Sequence, residues 1–172
     1  MARVVLTTPT LDDEDEFLTA NHASRSFHRP WAYNPLTPDA YRSYVRALSD
    51  RKVGYFARRR SDRALVGWVN LSEIVRGNFH SAYLGYCGYA DSAGQGYMTE
   101  ALSLVVREAF VTHRLHRVEA NIQPGNTPSI ALVKRLGFEY EGLSPRYLKI
   151  GGRWRDHERW ALRAEAWQAR RG

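Results

Sequence analysis

The sequence predicts one α/β domain whose sheet has strands of mixed direction. Its 172 residues are close to the commonest size of a single domain, so we expect residues 1–172 to share one core. Hydrophobic residues make up 44% of the chain and charged residues 25%, as in folded globular proteins. The hydrophobic period switches between the strand and helix values along the chain, which gives the order β-α-α-β-β-β-α-β-α-β-β.

The first third of the chain is predicted to hold one strand and two helices. A short β-branched run over residues 3–7 indicates the strand. A helix is expected from Thr10 to about Ser26, because acidic residues in its first turn favour the positive end of the helix dipole. Prolines make the next segment a loop, and Thr37 then caps a second helix with Pro38 at its first position.

The rest of the chain alternates between strands and two further helices. The longer helix begins near Met98, where apolar residues recur at helical spacing. A shorter helix is capped by Asn126 and ends at Gly137, a residue suited to a left-handed cap. The predicted strands are residues 54–60, 64–74, 81–88, 117–122, 138–143 and 147–162, and Gly151-Gly152 makes a turn.

The chain is strongly basic, with a formal net charge of +7. Much of the excess lies in Arg58-Arg59-Arg60 and near the C-terminus, and we expect it to be solvated or to face phosphates, including those of a ribosome or a nucleotide cofactor. No helix-turn-helix, zinc-finger or RNP-like pattern accompanies the charge. The composition therefore argues against specific DNA binding and leaves a negatively charged partner open.

The cysteine count and the N-terminal residues predict a cytoplasmic protein. Cys87 is the single cysteine, which excludes a disulfide within the chain. Acidic residues occupy positions 12–16, where a signal peptide needs an apolar run, and no apolar stretch is long enough for a bilayer. We therefore expect no membrane association.

The segment Gly94-Gln95-Gly96-Tyr97-Met98-Thr99 carries the densest chemical signal. Two glycines between a strand and a helix let the backbone approach a ligand, and the N–H groups of a helix start suit a phosphate or pyrophosphate. A dinucleotide fingerprint needs a third glycine where Thr99 stands, and the Gly-Lys-Ser/Thr of a P-loop is absent. The loop therefore predicts a different nucleotide-type ligand.

This loop and the segments around it resemble the GNAT superfamily of N-acetyltransferases, in particular its RimJ-like branch, which acetylates the N-terminal alanine of a small-subunit ribosomal protein. The resemblance implies the GNAT fold, with a centrally splayed sheet of about seven strands flanked by about four helices. It also implies acetyl-CoA as cosubstrate, no metal, and an acyltransferase acting on a primary amine. The matching segments are residues 30–31, 75–80, 83–86, 94–102, 116–121, 124–129, 136–142 and 152–157.

The resemblance also suggests roles for individual residues. Glu119 is expected to be the general base, with Glu73 and His80 as alternatives, and Ser129, with Asn126, the proton donor to the leaving thiolate. A backbone N–H in the strand near Tyr86 to Gly88, where neighbouring strands splay apart in the family, is expected to polarise the thioester carbonyl. The expected cofactor contacts are Tyr86, Cys87, Gly88, Gly94, Gln95, Gly96, Tyr97, Met98, Thr99, Asn126 and Ser129, and the expected acceptor contacts are Trp31, Tyr33, Glu73, His80 and Trp154.

Each of these roles has a purely structural alternative. Glu119 could be a solvated strand residue, Asn126 and Ser129 could serve only the helix start, and the aromatic residues could belong to the core. Cys87 could be an acyl-enzyme nucleophile, but without a recognisable histidine partner we expect direct transfer.

The chain departs from the family pattern at three positions. Val133 stands where many members have a tyrosine acid, Asp91 lies near the glycines where glutamine or arginine is common, and Arg146 replaces a carboxylate. These departures keep two alternatives open, an acetyltransferase for a small amine or antibiotic and a non-catalytic acetyl-CoA-binding or ribosome-associated module. The sequence does not distinguish a monomer from a homodimer.

Overall fold

A computed structural model describes residues 2–171, which form one seven-stranded sheet with helices on both faces. The strands are β1 (Val4–Thr7), β2 (Val53–Arg59), β3 (Leu65–Val75), β4 (Ser81–Gly88), β5 (Arg117–Ile122), β6 (Glu139–Ile150) and β7 (Arg153–Arg163). The helices are α1 (Glu14–Ala23), α2 (Arg25–His28), α3 (Pro38–Arg46), α4 (Tyr97–Arg107), α5 (Thr127–Leu136) and α6 (Ala164–Ala169).

The strand order is β1-β2-β3-β4-β5-β7-β6, and the sheet divides at its centre. Neighbouring strands are antiparallel except β4 and β5, which run parallel. The β4–β5 register covers residues 81–83 and 117–119 and ends where Tyr83 lies opposite Glu119. Beyond that point the two strands separate and leave a cleft. The predicted mixed, splayed sheet is therefore confirmed.

The two faces of the sheet are covered by different side chains. Helices α4 and α5 lie on one face, where Leu102 of α4 and Val118 of β5 are fully buried in the main core. Helices α1 and α3 cover the other face near β2, where the ring of Phe17 lies 4.8 Å from that of Tyr41 and 5.4 Å from that of Phe56. Each large apolar side chain buried in this way stabilises the fold by about 1.5–3 kcal/mol.

The helices differ from the prediction in three places. The first predicted helix is split at Ser24, whose hydroxyl accepts the N–H of Ala90 at 3.0 Å and so belongs to a contact that no local pattern shows. Helix α4 continues into a π turn over Glu108–Thr112. The six-residue helix α6 was not predicted. The predicted caps are confirmed at Thr37, whose hydroxyl accepts the Ala40 N–H, and at Gly137, with a φ of 89°.

The arginine run of β2 is not the solvated patch that the sequence suggested. Arg58 is only 9% exposed, and its guanidinium donates to Asp13 Oδ1 and to Glu16 Oε2, each at 2.7 Å. Arg59 pairs with Asp62 at 2.7 Å. Arg58 therefore ties the sheet to the start of α1, and two of the three arginines are neutralised by carboxylates.

Replacing Arg58 with leucine is expected to lower the free energy of unfolding by about 3 kcal/mol, because two partly buried carboxylates lose their cation. Urea denaturation monitored by circular dichroism measures this loss. The exposed Arg60 provides the matched control, and its change to leucine should alter stability by less than about 0.5 kcal/mol. Equal effects of the two substitutions would show that the buried ion pairs contribute nothing specific.

Candidate active site

The cleft between β4 and β5 is lined by free backbone groups of β4. The N–H of Tyr89 donates to Val66 O of β3 at 3.1 Å. Because successive residues of a strand point their N–H and C=O groups to alternate sides, those of Tyr86 and Gly88 point away from β3 and into the cleft. The carbonyl of Gly88 is engaged there by His28 Nε2 at 2.8 Å. The N–H of Tyr86 is therefore the backbone donor best placed for a bound carbonyl.

The glycine loop stands at the mouth of this cleft. Gly94 and Gly96 have φ angles of +73° and +81°, which explains why glycine occupies both positions. The first intrahelical bond of α4 runs from the N–H of Glu100 to Gly96 O, at 3.2 Å. The preceding N–H groups, those of residues 97–99, are thus free of intrahelical partners and lie at the positive end of the helix dipole. This geometry fits a pyrophosphate.

Side chains around the loop hold it in place. Arg3 donates to Gln95 O at 3.2 Å, and its guanidinium lies 4.8 Å from the ring centre of Tyr97. Glu100 accepts the N–H of Val4 at 2.7 Å and so ties α4 to β1. The side chain of Tyr97 is therefore used in packing. Its backbone N–H remains available to a ligand.

Met98 and Asp91 lie on either side of the loop. A Cβ at Gly88 would lie 2.8 Å from Met98 Cγ, and one at Gly67 would meet Met98 Sδ, so the methionine fills a space that these glycines leave. Asp91 is exposed, and its main-chain carbonyl accepts from the side chain of Gln95 at 3.0 Å. The predicted ligand contacts of Gln95 and Met98 are accordingly reduced to backbone groups.

Two hydroxyl groups meet inside the cleft. Tyr86 Oη of β4 lies 2.6 Å from Ser129 Oγ in the first turn of α5. Burial raises the pKa of Tyr86 to about 12, so the pair stays protonated at neutral pH. Val133, where the family pattern favours a tyrosine, is fully buried one turn further along α5. The sequence assigned Tyr86 only to cofactor binding and missed its hydroxyl contact.

Asn126 precedes the first residue of α5, but its side chain does not cap the helix as the sequence predicted. Its carbonyl accepts the N–H of Ile130 at 3.1 Å, but its side chain makes no capping hydrogen bond to α5. The amide of Asn126 is therefore not used by the helix, although it stands at the same helix start as Ser129.

Glu119 lies at the closed end of the cleft, on the face opposite to that of Tyr86, and is not a free carboxylate. Arg117 Nε donates to Glu119 Oε1 at 2.6 Å, and Arg117 Nη1 donates to Glu141 Oε1 at 2.9 Å. The hydrogen bond with Glu141, followed by that with Glu119, raises the pKa of Arg117, which keeps the guanidinium charged. Next to this group, a hydrogen bond with Tyr147 and burial raise the pKa of Tyr83 to about 12.

The loop between α2 and α3 covers the same face of the sheet. Trp31 packs on the turn after β5, where a Cβ at Gly125 would lie 2.9 Å from Trp31 Cη2. Tyr33 packs on the β6–β7 turn, where a Cβ at Gly151 would lie 2.5 Å from Tyr33 Cε2. Trp31 and Tyr33, two of the aromatic residues predicted for the acceptor, therefore both lie beyond the C-terminal end of β5, at one end of the acceptor face, which we define as the surface around Glu119 on β5.

The three other predicted acceptor residues lie at separate places around the sheet, and Glu73 is near enough to Tyr83 to contribute to the rise in its pKa. The side chain of Glu73 is 68% exposed and lies 3.8 Å from Arg51. His80 precedes β4, where its carbonyl accepts the N–H of His116, and so lies beyond the closed end. Trp154 is 60% exposed and shares the alternate face of β7 with Trp160, away from Glu119. Sequence order alone could not place these residues relative to the splay.

The environment of Cys87 opposes an acyl-enzyme role. Its side chain is buried, and burial raises the pKa of its thiol to about 11, so about one molecule in ten thousand carries the thiolate at pH 7. The neighbouring polar contact is Asn34 Oδ1, at 3.7 Å.

His28 and Asn34 form a network that the sequence did not indicate. Asn34 Nδ2 lies 3.0 Å from His28 Nδ1, while His28 Nε2 faces Gly88 O. Burial lowers the pKa of His28, which fits a neutral ring that accepts at one nitrogen and donates at the other. The network fastens the loop of Trp31 and Tyr33 to the end of β4.

Within residues 2–171, no three His, Cys, Asp or Glu side chains are grouped as a metal-binding set. In the same part of the chain, no helix has the length and apolar character needed to cross a bilayer.

Comparison with known proteins relates this geometry to one family. Residues 3–139 match the family described as acetyltransferase (GNAT) domain. The [Ribosomal protein uS5]-alanine N-acetyltransferase of Escherichia coli (strain K12) is 43% identical over 106 residues, which cover 62% of this chain and 55% of that protein. The chain thus spans about half the length of this curated relative.

Solved structures give the same relationship. Mycobacterium smegmatis RimJ in complex with CoA-disulfide superposes with a TM-score of 0.86 at 29% identity and covers 94% of this chain and 82% of its own. A dodecameric spermidine N-acetyltransferase from Vibrio cholerae has a TM-score of 0.79 at 18% identity, with all of both chains covered. At that identity the likeness shows the fold alone.

Proposed function

The chain belongs to the acetyltransferase (GNAT) domain family, and on that premise we propose that it transfers the acetyl group of acetyl-CoA to the N-terminal α-amine of a ribosomal protein that begins with alanine. The observation that carries this proposal is the cleft between β4 and β5, with a phosphate-binding helix start at its mouth and a hydroxyl pair inside.

The residues of the cleft fit the cosubstrate. When bound, acetyl-CoA supplies the thioester from which the acetyl group is taken. The N–H groups of residues 97–99 would hold its pyrophosphate, and the cleft-facing backbone of Tyr86 with the N–H of Gly88 would hold its amide-bearing arm. The open backbone edge of a strand is well suited to a chain of amides.

The acceptor amine needs little help from a base. An α-amino group has a reference pKa near 7.7–8.0, so about a tenth is neutral at pH 7. Glu119, held by Arg117, would accept the amine proton directly or through a water, and Ser129 Oγ, held by Tyr86, would provide a proton to the leaving sulfur. Both groups flank the cleft from opposite faces of the sheet.

The identity of the acceptor is supported by the relatives. The curated relative is named for the alanine of ribosomal protein uS5, and the structural neighbour at 29% identity is named RimJ. The free α-amine of a peptide also suits a cleft whose acceptor face is covered at one end by the loop that carries Trp31 and Tyr33. Any association with the ribosome would then come through the acceptor protein, which is assembled into the ribosome.

The test is acetyl-CoA-dependent thiol release with a ribosomal peptide beginning with alanine, the same peptide carrying an N-terminal acetyl group, and spermidine. We expect turnover with the free peptide, none with the blocked peptide, and at least about tenfold lower kcat/KM with spermidine, in keeping with one or more lost polar contacts. Turnover confined to spermidine would contradict the ribosomal assignment. Cofactor binding without any turnover would contradict an enzymatic role.

A further inference from the structure

Two buried polar atoms on neighbouring strands have no hydrogen-bond partner among residues 2–171. They are Asn121 Oδ1 of β5 and Arg159 Nε of β7. Asn121 and Arg159 lie directly opposite each other in the β5–β7 register, so their side chains leave the sheet on the same face, with Cβ atoms about 5 Å apart. One atom accepts hydrogen bonds and the other donates them.

Both side chains belong to the acceptor face. Asn121 lies two residues after Glu119, at a distance of about 6.7 Å along the strand. Two residues further on, Gln123 donates to the carbonyl of Trp31 at 3.2 Å and fixes the loop that covers this face. Across the cleft stands Gly85, and no atom lies within 4 Å of the position of a Cβ there. Both atoms have almost no solvent-exposed surface of their own, and the open space at Gly85 lies across the cleft from them, next to the expected position of the amine.

An unpartnered buried polar atom costs about 1–3 kcal/mol, so such atoms are rare in folded proteins and often belong to binding sites. Three others occur in the described part of the chain, on Asn21, Trp68 and Tyr89. Asn121 and Arg159 are distinguished because an acceptor and a donor face the same space from paired positions. A peptide group, which carries one N–H and one C=O, satisfies both at once.

We infer that Asn121 and Arg159 bind the first peptide group of the acceptor. Asn121 Oδ1 accepts its N–H, and Arg159 Nε donates to its carbonyl. This inference rests on the proposed function and names the feature by which the site recognises a peptide N-terminus. A polyamine has no carbonyl for Arg159, and the carboxylate of a free amino acid has no donor for Asn121 Oδ1. Both are therefore poor acceptors.

The contact with Asn121 is tested by removing one hydrogen-bond donor from the acceptor peptide. The experiment compares an alanine-terminated peptide with its depsipeptide, in which an ester oxygen replaces the first peptide N–H. The unsubstituted protein should lose about tenfold in kcat/KM with the ester, as expected when one hydrogen bond is lost. Asn121→Leu should show less than about a twofold difference in kcat/KM between the two peptides, because leucine has no hydrogen-bonding atom that the ester would leave unpaired.

The comparison has internal controls. Asn78→Leu, on the exposed turn between β3 and β4, provides a matched substitution and should retain the tenfold discrimination of about 1.4 kcal/mol. The amines of the two peptides differ in intrinsic reactivity, but this difference cancels when variants are compared, because every variant is assayed with the same two peptides. Arg159→Lys keeps a positive charge but moves the donor, and should raise KM for the peptide while urea stability and CoA affinity stay unchanged.

Stability separates a binding role from a structural one. Because Asn121 Oδ1 has no partner in the fold, Asn121→Leu should unfold at the same or a higher urea concentration than the unsubstituted protein. A large loss of stability would overturn the inference. Equal turnover of amide and ester would also overturn it and leave the proposed function intact. If no acceptor turns over, the enzymatic proposal fails, and calorimetry is used to compare binding of the amide and ester peptides. Tighter binding of the amide would then support the subsite. Equal binding of the two peptides would overturn the subsite as well.

Discussion

Ser129→Ala is expected to lower kcat by about 100-fold, the lower end of the contribution of a positioned proton donor. The hydroxyl of Ser129 is held 2.6 Å from Tyr86 Oη, inside the cleft where the thiol departs. Thiol release at saturating peptide and acetyl-CoA measures kcat, and calorimetry with CoA should give a dissociation constant within about threefold of the unsubstituted value, since the phosphate contacts are untouched. An unchanged kcat would remove Ser129 from the chemistry.

Tyr86→Phe supplies the companion measurement. It keeps the ring but removes the group that orients Ser129 Oγ, so kcat should fall by about tenfold, the equivalent of one lost hydrogen bond. Because burial raises the pKa of Tyr86 to about 12, its hydroxyl stays protonated throughout the assay range. The rate between pH 8 and pH 10 should therefore show no decline from tyrosine ionisation. A fall with a midpoint below about pH 10, the ordinary tyrosine value, would contradict this assignment.

Gly85→Val is expected to lower kcat/KM for the peptide by about 100-fold without loss of stability, because a misplaced acceptor can cost that much in rate. Gly85 lies on the acceptor face between Tyr83 and Cys87, and no atom lies within 4 Å of its Cβ position. Valine suits a strand and meets no protein atom there, so thermal unfolding should occur at the same or a higher temperature. Its methyl groups would occupy the space of the amine.

The control for this substitution is Gly85→Ala, which adds a single methyl group and should have a clearly smaller effect. CoA affinity should be unchanged in both variants, because the backbone groups proposed to hold CoA belong to Tyr86, Gly88 and residues 97–99, while those of Gly85 point toward β3. Normal turnover by Gly85→Val would show that the acceptor approaches from elsewhere, and an unfolded product would show that the apparent space is not available.

The elements that define the cleft were predictable because their signals are local. Strands β4 and β5 have the predicted bounds, since turn residues flank short runs with strand periodicity. The position of the glycine loop follows for the same reason, because positive φ angles require glycine wherever they occur. Where a contact joins distant segments the prediction failed, as at Ser24, whose partner Ala90 is 66 residues away.

The site was predicted as a region and not as a set of contacts. Glu119 was expected to be a free base, but its partner Arg117 also binds Glu141 on β6, which only the folded sheet brings near. The Tyr86–Ser129 contact spans the cleft, and the width of the cleft is not encoded in any spacing. Arg58 was placed in a solvated run because its carboxylate partners Glu16 and Asp13, at the start of α1, are 42 and 45 residues away in the chain.

If the cleft between β4 and β5 binds acetyl-CoA as proposed, the fraction of folded protein would depend on the acetyl-CoA concentration. A ligand that fills the cleft binds the native chain and not the unfolded one, so it shifts the folding equilibrium by mass action. Acetyl-CoA at 100 times its dissociation constant would add about 2.7 kcal/mol, a large share of the 5–15 kcal/mol typical of a domain. A fall in acetyl-CoA toward its dissociation constant would remove most of this stabilisation and raise the unfolded fraction that is open to proteolysis.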